Sequence, residues 1–245
     1  MRATLLSIQV GRVQSFEDAD GRQWESGIAK SSISGAVHVG KEKLEGDEQS
    51  DLKNHGGVDK AVLGYSAEHF DLWASERKAI GAPDWQPVAG TFGENLTIAG
   101  QNETSVCVGD VYQVGTCTLE VSQPRQPCWK LSRRWQIPKL AVHVQKNGRT
   151  GWYFRVISEG EIQKGDGIEL LRRPNPDWTV SRAHRVMHAK PRNPSDDLEL
   201  SQCPALSNSW SEQLAKRAKN AIEKSESARL FGAGEDDQSK RDQHH

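Results

Sequence analysis

One cysteine in the sequence has neighbours that suit covalent or metal chemistry. Cys128 follows a Pro-Arg-Gln-Pro segment at 124–127, whose prolines interrupt strand pairing, so the thiol comes directly after a stiff turn. Arg125 and Lys130 place positive charge beside it, which favours the thiolate, the form that attacks electrophiles and binds soft metals. The pattern predicts a functional thiol, and a buried structural thiol beside surface cations is the alternative.

A histidine, two glycines and a lysine form a second candidate group. His55, Gly56 and Gly57 precede a β-prone stretch, and paired glycines let backbone N–H groups approach and hold an anion. Lys60 adds positive charge at the end of the group. The spacing is not that of a P-loop, and a tight turn explains the glycines equally well.

Two further glycine-bearing turns carry polar side chains. Asn95 follows Phe-Gly-Glu at 92–94, and Arg149 lies between the glycines at 148 and 151. Arginine suits phosphate because its planar guanidinium makes paired hydrogen bonds. Both residues are candidates to line a pocket, although Asn95 equally fits a turn in which the side chain bonds its own backbone.

The overall composition excludes several classes of protein. The chain has 245 residues, with 32 Lys+Arg against 33 Asp+Glu, and its net charge of -1 argues against nucleic-acid binding through a broadly basic surface. No stretch approaches the ~18 apolar residues of a membrane span, so we expect a cytoplasmic protein without membrane contact. Four cysteines without C-x-x-C spacing indicate neither a disulfide scaffold nor a structural zinc site.

The other three cysteines lack the setting of Cys128. Cys107 and Cys117 lie in β-prone sequence and are predicted to be core residues, whereas Cys203 lies in a helical region without distinguishing neighbours. A Cys-His hydrolase would need a histidine beside Cys128, and the sequence does not place one. The histidines considered for this role are His55, His69 and His143.

Short β-prone segments separated by glycine turns predict a β-barrel or sandwich in the first two thirds of the chain. They are residues 3–13, 36–39, 61–65, 95–98, 106–108, 111–114, 116–122 and 168–171. In the first segment Leu6, Ile8 and Val10 alternate with polar residues. Two helices are predicted as well, one over 66–73 and one over 130–147 that restarts at Pro138.

Prolines at 174 and 176 indicate a domain boundary. Beyond them, helical spacing behind Thr179, over 198–206 and behind Ser209 predicts three short helices. We therefore expect a β domain at 1–173 and a three-helix domain at 177–226. A disordered tail is expected at 232–245, which has nothing to bury.

Five segments, taken together and in order, resemble the MOSC domain family, which is related to the C-terminal part of molybdenum cofactor sulfurases. Within that family the sequence is similar to the bacterial YiiM-type subgroup, in which a three-helix domain follows the barrel. The five segments are Leu44-Glu45-Gly46-Asp47, His55 through Val62, Phe92 through Leu96, Val108-Gly109-Asp110 and Ser122 through Cys128.

The resemblance implies a mainly β fold: a MOSC-type β-barrel with a few helices that binds the pterin form of the molybdenum cofactor. Cys128 matches the family's metal-ligating cysteine, and its local setting agrees with that role. An anionic pterin phosphate also needs cations and backbone donors. The cationic candidates are Lys30, His55, Lys60, Arg125 and Arg149, and the backbone donors are Gly56 and Gly57, with Asn95 as a further cofactor contact.

The resemblance further implies a reductase of N-hydroxylated compounds, such as hydroxylaminopurine bases. The sequence has no ferredoxin-like, flavin, nicotinamide or haem motif, so its electrons are expected from a separate donor protein. Two alternatives remain: a molybdenum cofactor carrier or sulfur handler that uses Cys128 without substrate turnover, and an interaction module built from the three helices.

Overall fold

A closed seven-stranded β-barrel forms the larger part of the protein. The computed structural model describes residues 3–18, 21–51, 56–219 and 225–232. The barrel strands follow the order β12-β8-β9-β10-β6-β7-β1, and β1 closes the ring by pairing with β12 at Ala3↔Ile168 and Thr4↔Gly167. Only β6 and β7 pair in parallel within this ring; β4 adds an extra strand beside β1. The prediction of a mainly β fold with a few helices is confirmed.

The strands are short, and two small two-stranded sheets, β2–β3 and β5–β11, flank the barrel. The strands are β1 Ala3–Val10, β2 Gln14–Glu17, β3 Gln23–Ser26, β4 Ser31–Ser32, β5 Val37–Val39, β6 Val62–Ser66, β7 Leu96–Ala99, β8 Val111–Val114, β9 Cys117–Pro124, β10 Trp152–Ser158, β11 Gly160–Ile162 and β12 Gly167–Arg172. In β9 every second residue faces the core, and Cys117, Leu119 and Val121 are fully buried.

Seven helices lie within the described ranges, and a 3₁₀ turn covers Val58–Lys60. The helices are α1 His69–Glu76, α2 Trp129–Trp135, α3 Leu140–Asn147, α4 Val180–His188, α5 Pro194–Ser201, α6 Asn208–Ala218 and α7 Ser227–Phe231. The first three pack outside the barrel around Trp73, Phe92 and Leu140. None of the helices in these ranges has the length and hydropathy that a membrane crossing requires.

Several predicted element boundaries need correction. The segment at 106–108 forms an isolated bridge between Cys107 and Thr179 and no strand. In β1 the core residues are Leu5 and Ile8, while Leu6 is 41% exposed, because an irregularity between Leu5 and Ser7 shifts the alternation. The helix expected over 130–147 is interrupted at 136–139 by two residues with left-handed backbone and becomes α2 and α3.

Of the two N-caps predicted for the C-terminal helices, one is observed and one is shifted. Thr179 accepts a hydrogen bond from the Arg182 amide at 3.0 Å and starts α4, as its position predicts. Ser207, not Ser209, caps α6 by accepting from the Trp210 amide. The helices enclose a core of their own that includes Trp178, Leu200 and Trp210.

The junction between barrel and helices is built on Asp110. Its buried carboxylate accepts two hydrogen bonds from Arg173, at 2.7 and 2.8 Å, and one from the Cys107 amide. Gly109 lies against the helices with a φ of 86°, and a Cβ there would be 2.7 Å from the Ala205 side chain. The Val-Gly-Asp segment therefore joins the two parts of the protein.

Candidate functional site

An open cleft at one side of the barrel brings the predicted thiol and several predicted cations together. The cleft is open to solvent, and the space within and in front of it amounts to about 620 Å³. Five predicted site residues line it, and they are Cys128, Lys30, Lys60, Asn95 and Arg125. They come from four separate parts of the chain, so the fold and not local sequence assembles the site.

The barrel side of the cleft is a hydrogen-bonded network around Asp47. The Lys30 ammonium pairs with Asp47 Oδ1, which also accepts from the Gly11 amide at 2.8 Å. Asp47 Oδ2 accepts from Asn95 Nδ2 at 2.8 Å. Asn95 Oδ1 in turn accepts from the Leu63 amide at 3.0 Å. Burial lowers the pKa of Lys30, although Asp47 opposes this shift.

The network gives Asn95 a structural role at the cleft. Both ends of its side chain are bonded to the protein, since Nδ2 also donates to the Gln9 carbonyl at 3.2 Å. Glu94, the preceding residue, accepts from the amides of Gly90 and Phe92 at 2.6 and 3.0 Å. Burial raises the pKa of Glu94 while these donors oppose the shift. The Phe-Gly-Glu-Asn turn therefore shapes the cleft wall.

The opposite side of the cleft is the segment between β9 and α2, which carries Arg125 and Cys128. The Arg125 amide donates to the Gly151 carbonyl at 3.0 Å, which ties the segment to the start of β10. The Arg125 side chain is buried, with 5% of the residue exposed. Its Nη1 has no hydrogen-bond partner among the described residues. A buried cationic nitrogen without a partner is available to bind an anion.

Cys128 lies immediately before α2, with extended backbone and 9% of the residue exposed. It shares the cleft with Arg125 and Tyr153, and Arg229 bonds the carbonyl of the preceding residue, Pro127. No disulfide joins it to the other cysteines. The thiol is thus in a cleft with cations on several sides, which suits a thiolate ligand or nucleophile.

Lys60 reaches the cleft from the 3₁₀ turn. Burial lowers its pKa, and Asp59 and Asp51 oppose the shift. Asp59 is held by Arg155, whose Nε and Nη2 donate to Asp59 Oδ1 at 3.0 and 2.6 Å. The Asn208 amide at the start of α6 donates to Asp59 Oδ2 at 3.1 Å. The three-helix domain thereby contacts the turn that positions Lys60.

The other predicted cofactor residues are not brought into the cleft by the described structure. Arg149 pairs with Glu76 at 2.6 Å and lies over the Trp73 ring at 4.6 Å, away from the cleft lining. Gly56 and Gly57 are not among the lining residues, and Gly57 begins the 3₁₀ turn with a φ of 87°. His55 lies outside the described residues.

The remaining thiols and histidines give little support to other chemistry at Cys128. Burial raises the pKa of Cys107 and Cys203 and raises that of Cys117 to about 12, so these thiols stay protonated. No histidine in the described ranges lines the cleft. His69 is bonded to Glu103 at 2.6 Å instead. The described ranges therefore place no histidine beside Cys128 to serve as the base of a Cys-His hydrolase.

Some cleft residues were not predicted from the sequence. Asp47 was part of a recognised segment but was not assigned to the site, and Tyr153 and the hairpin end at Ser26–Ile28 were not singled out. Lys130 lines the cleft and also donates to the Glu25 carbonyl at 2.8 Å. An acidic residue followed, many positions later, by a Gly-Glu-Asn turn predicts a site only when the family pattern is known.

Known proteins are similar to this chain over nearly its whole length. It is 39% identical over 217 residues to YflK of Bacillus subtilis (strain 168), covering 88% of this chain and 95% of YflK. It is 33% identical over 229 residues to protein YiiM of Escherichia coli (strain K12), covering 93% and 98% respectively. A protein named "Reductase" from Gibberella moniliformis is 38% identical over 203 residues, which are 82% of this chain and 35% of that protein.

The crystal structure of YiiM from Geobacillus stearothermophilus has the same architecture. It superposes with a TM-score of 0.73 at 34% identity, covering 88% of this chain and 99% of that one. Residues 51–169 match the MOSC domain, and residues 178–219 match the YiiM-like, 3-alpha helix domain.

Fold and cleft together define a barrel protein with one thiol and several cations in an open pocket, followed by a helical domain. The chain belongs to the MOSC domain family, in the form that carries the YiiM-like, 3-alpha helix domain. No cluster of three His, Cys, Asp or Glu side chains that could hold a metal ion occurs in the described part of the chain.

Proposed function

We propose that the cleft binds the molybdenum cofactor and that the protein is a reductase of N-hydroxylated compounds. Cys128 is the proposed protein ligand of the metal, and Arg125, Lys30 and Lys60 face the anionic pterin. The observation that carries the proposal is the buried Arg125 nitrogen without a partner, in the same cleft as the Cys128 thiol. MOSC family membership supports the choice of cofactor.

The residues present fit this group chemically. A pterin dithiolene brings its own sulfur ligands, so the protein needs to supply one thiolate and charge compensation for the phosphate. Cys128 supplies the thiolate, and Arg125 has an open donor at a buried position. The barrel side is already hydrogen-bonded around Asp47, so it holds the shape of the cleft before a ligand arrives.

When bound, the cofactor supplies a redox-active metal that accepts the oxygen of an N–O bond. The net reaction converts an N-hydroxylated compound, two electrons and two protons into the amine and water. Lys60 lies in the cleft with a pKa lowered by burial, which makes it a suitable proton donor for this reaction. The name "Reductase" of one relative supports this class of activity. A separate protein is the proposed electron source.

Metal analysis tests the binding step. Protein purified from a host that makes the cofactor should contain molybdenum and pterin, and Cys128→Ala should lose most of the molybdenum. Cys203→Ala is the matched control, because Cys203 is also a buried thiol but lies in the three-helix core. Wild-type protein without metal and pterin, or a Cys128→Ala variant with undiminished molybdenum, contradicts the proposal.

A turnover assay separates the reductase from the carrier alternative. Cofactor-loaded protein is supplied with a hydroxylaminopurine and a chemical electron donor, and the amine product is measured by chromatography. We expect product with wild-type protein and with Cys203→Ala, and none with Cys128→Ala. Loaded protein that forms no amine favours the cofactor carrier or sulfur handler.

A further inference from the structure

The short helix α7 binds the segment that carries the candidate metal ligand. Arg229 Nη1 donates to the carbonyl of Pro127 at 2.6 Å, and Pro127 is the residue directly before Cys128. This helix lies beyond the matched 3-alpha domain, which ends at 219. The arginine of this contact therefore lies outside both matched domains, whereas Pro127 lies within the MOSC match.

The Arg229 guanidinium is itself held from two sides. Its Nη2 donates to Gln145 Oε1 of α3 and to Glu226 Oε1, both at 2.7 Å. Glu226 also lies 3.0 Å from His188 Nδ1 at the end of α4. Burial alone would raise the pKa of Glu226, but His188, Arg229 and Gln145 lower it to about 2. Arg229 and Glu226 thus connect α3, α4 and the segment that carries Cys128.

Two prolines limit the backbone hydrogen bonds that the segment at 124–128 can donate. Prolines at 124 and 127 have no backbone N–H to donate, so carbonyl contacts and the Arg125–Gly151 hydrogen bond must hold it. At the C-terminal end of α7, Gly232 packs against α2. A Cβ added to Gly232 would be 3.3 Å from Arg133 Nη2 and 3.6 Å from Trp129 Cγ. α7 and Gly232 therefore cover the segment from outside.

We propose that Arg229 is a positioning residue, which fixes the Pro127–Cys128 segment so that the thiol stays directed at the cleft. The proposal concerns the position of the thiol and holds whichever ligand the thiol binds. It assigns the residues after the 3-alpha domain a role at the site on the barrel.

Hydrogen–deuterium exchange on the full-length protein measures the segment directly. Arg229→Met keeps the aliphatic stem and removes the charged donors, and we expect exchange in peptides covering 125–133 to become about tenfold faster. Arg229→Lys retains the charge and a donor, so it should restore most of the protection. Arg172→Met is the control, because Arg172 is exposed and pairs only loosely with Glu120, at 3.7 Å.

Two results overturn the proposal. In the first, peptides covering 125–133 exchange equally fast in Arg229→Met and wild type. In the second, exchange rises equally in peptides from α5 and α6, and Arg229→Lys gives no rescue, which means that the whole helical domain has loosened. Exchange that rises only around 125–133 supports the positioning role.

Molybdenum content provides a second readout that separates this proposal from the proposed function. If the function is correct, Arg229→Met protein from a cofactor-making host should retain several-fold less molybdenum, with recovery in Arg229→Lys. Wild type without molybdenum, together with the expected exchange pattern, sinks the proposed function and leaves the positioning role supported. Full molybdenum in Arg229→Met with unchanged exchange overturns the positioning role.

Discussion

The two sides of the cleft differ in how their polar groups are satisfied. On the barrel side, Lys30, Asp47 and Asn95 bond one another and the backbone. On the cysteine side, Arg125 is buried to a similar degree, yet its Nη1 has no partner in the described ranges. These three barrel-side residues are therefore hydrogen-bonded within the protein, whereas the cysteine side presents a buried nitrogen without a hydrogen bond.

The difference separates groups that maintain the cleft from groups that receive a ligand. Buried polar groups cost free energy unless they are bonded, so a bonded network stabilises the fold, whereas an unbonded cation is retained at a cost to stability. Substitutions on the two walls should accordingly have opposite effects on stability and on ligand binding.

The largest effect on stability is expected at the barrel side. Asp47→Ala leaves the buried Lys30 charge without its partner and should lower the free energy of unfolding by about 3–5 kcal/mol. Denaturant unfolding measures this change. Glu45→Ala, an exposed acid in the same turn, is the control and should change stability by less than about 0.5 kcal/mol. If Asp47→Ala lowers the free energy of unfolding by less than about 1 kcal/mol, the Lys30–Asp47 pair contributes no more than a surface ion pair does.

A smaller loss is expected at Asn95. Asn95→Ala leaves the buried Leu63 amide and the Gln9 carbonyl each without one bond, so we expect about 2 kcal/mol of destabilisation. Asn102→Ala, which removes only solvent-exposed hydrogen bonds to Thr104, serves for comparison. If Asn95 were a direct cofactor ligand with no structural role, the variant would keep its melting temperature and lose molybdenum instead.

Arg125 should show the reverse pattern. Arg125→Met removes a buried guanidinium whose Nη1 has no hydrogen-bond partner in the described ranges, so stability should change by less than about 1 kcal/mol. Molybdenum content should fall severalfold. Arg155→Met is the contrasting variant. It should destabilise the protein, because Arg155 is bonded to both Asp59 and Glu120. A large destabilisation by Arg125→Met would remove the distinction between the two walls.

The smallest effect is a pH dependence at Lys30. The folded state lowers the pKa of Lys30, so unfolding in alkaline solution takes up a proton, and this residue's contribution to stability rises as the pH approaches the ordinary lysine value. The stability of wild type relative to Lys30→Met should therefore rise with pH, by less than about 1.4 kcal/mol per pH unit. Lys43→Met, at an exposed lysine, should show no such trend.

Local patterns in the sequence were sufficient for some elements of the fold. The β-prone segments at 111–114 and 116–122 predicted β8 and β9 and the burial of Cys117, and the Thr179 cap predicted α4. The strand β10 was missed, because Trp152–Phe154 is a continuous buried run between β9 and β6 and has no alternation to detect. Helix α7 is too short for periodicity to reveal.

The residues of the candidate site also differ in how far local sequence predicts them. The proline turn and flanking cations pointed to Cys128 and Arg125 from local sequence, and the fold places both in the cleft. The pairing of Lys30 with Asp47 spans 17 positions and depends on how the barrel closes, so no local pattern reports it. Arg149 has the residue type for phosphate binding, but Glu76 and the Trp73 ring engage its guanidinium elsewhere.

The closure of the barrel has a consequence for synthesis of the chain. β1, which precedes the other barrel strands in the sequence, pairs with β7 and with β12, and the β12 partners are Gly167 and Ile168. One edge of β1 must therefore wait until more than half of the protein has left the ribosome. During that interval its backbone N–H and C=O groups are available to other strands, a situation in which chains aggregate. We therefore expect folding of this protein to depend more on chaperones than folding of a protein whose paired strands are consecutive in sequence.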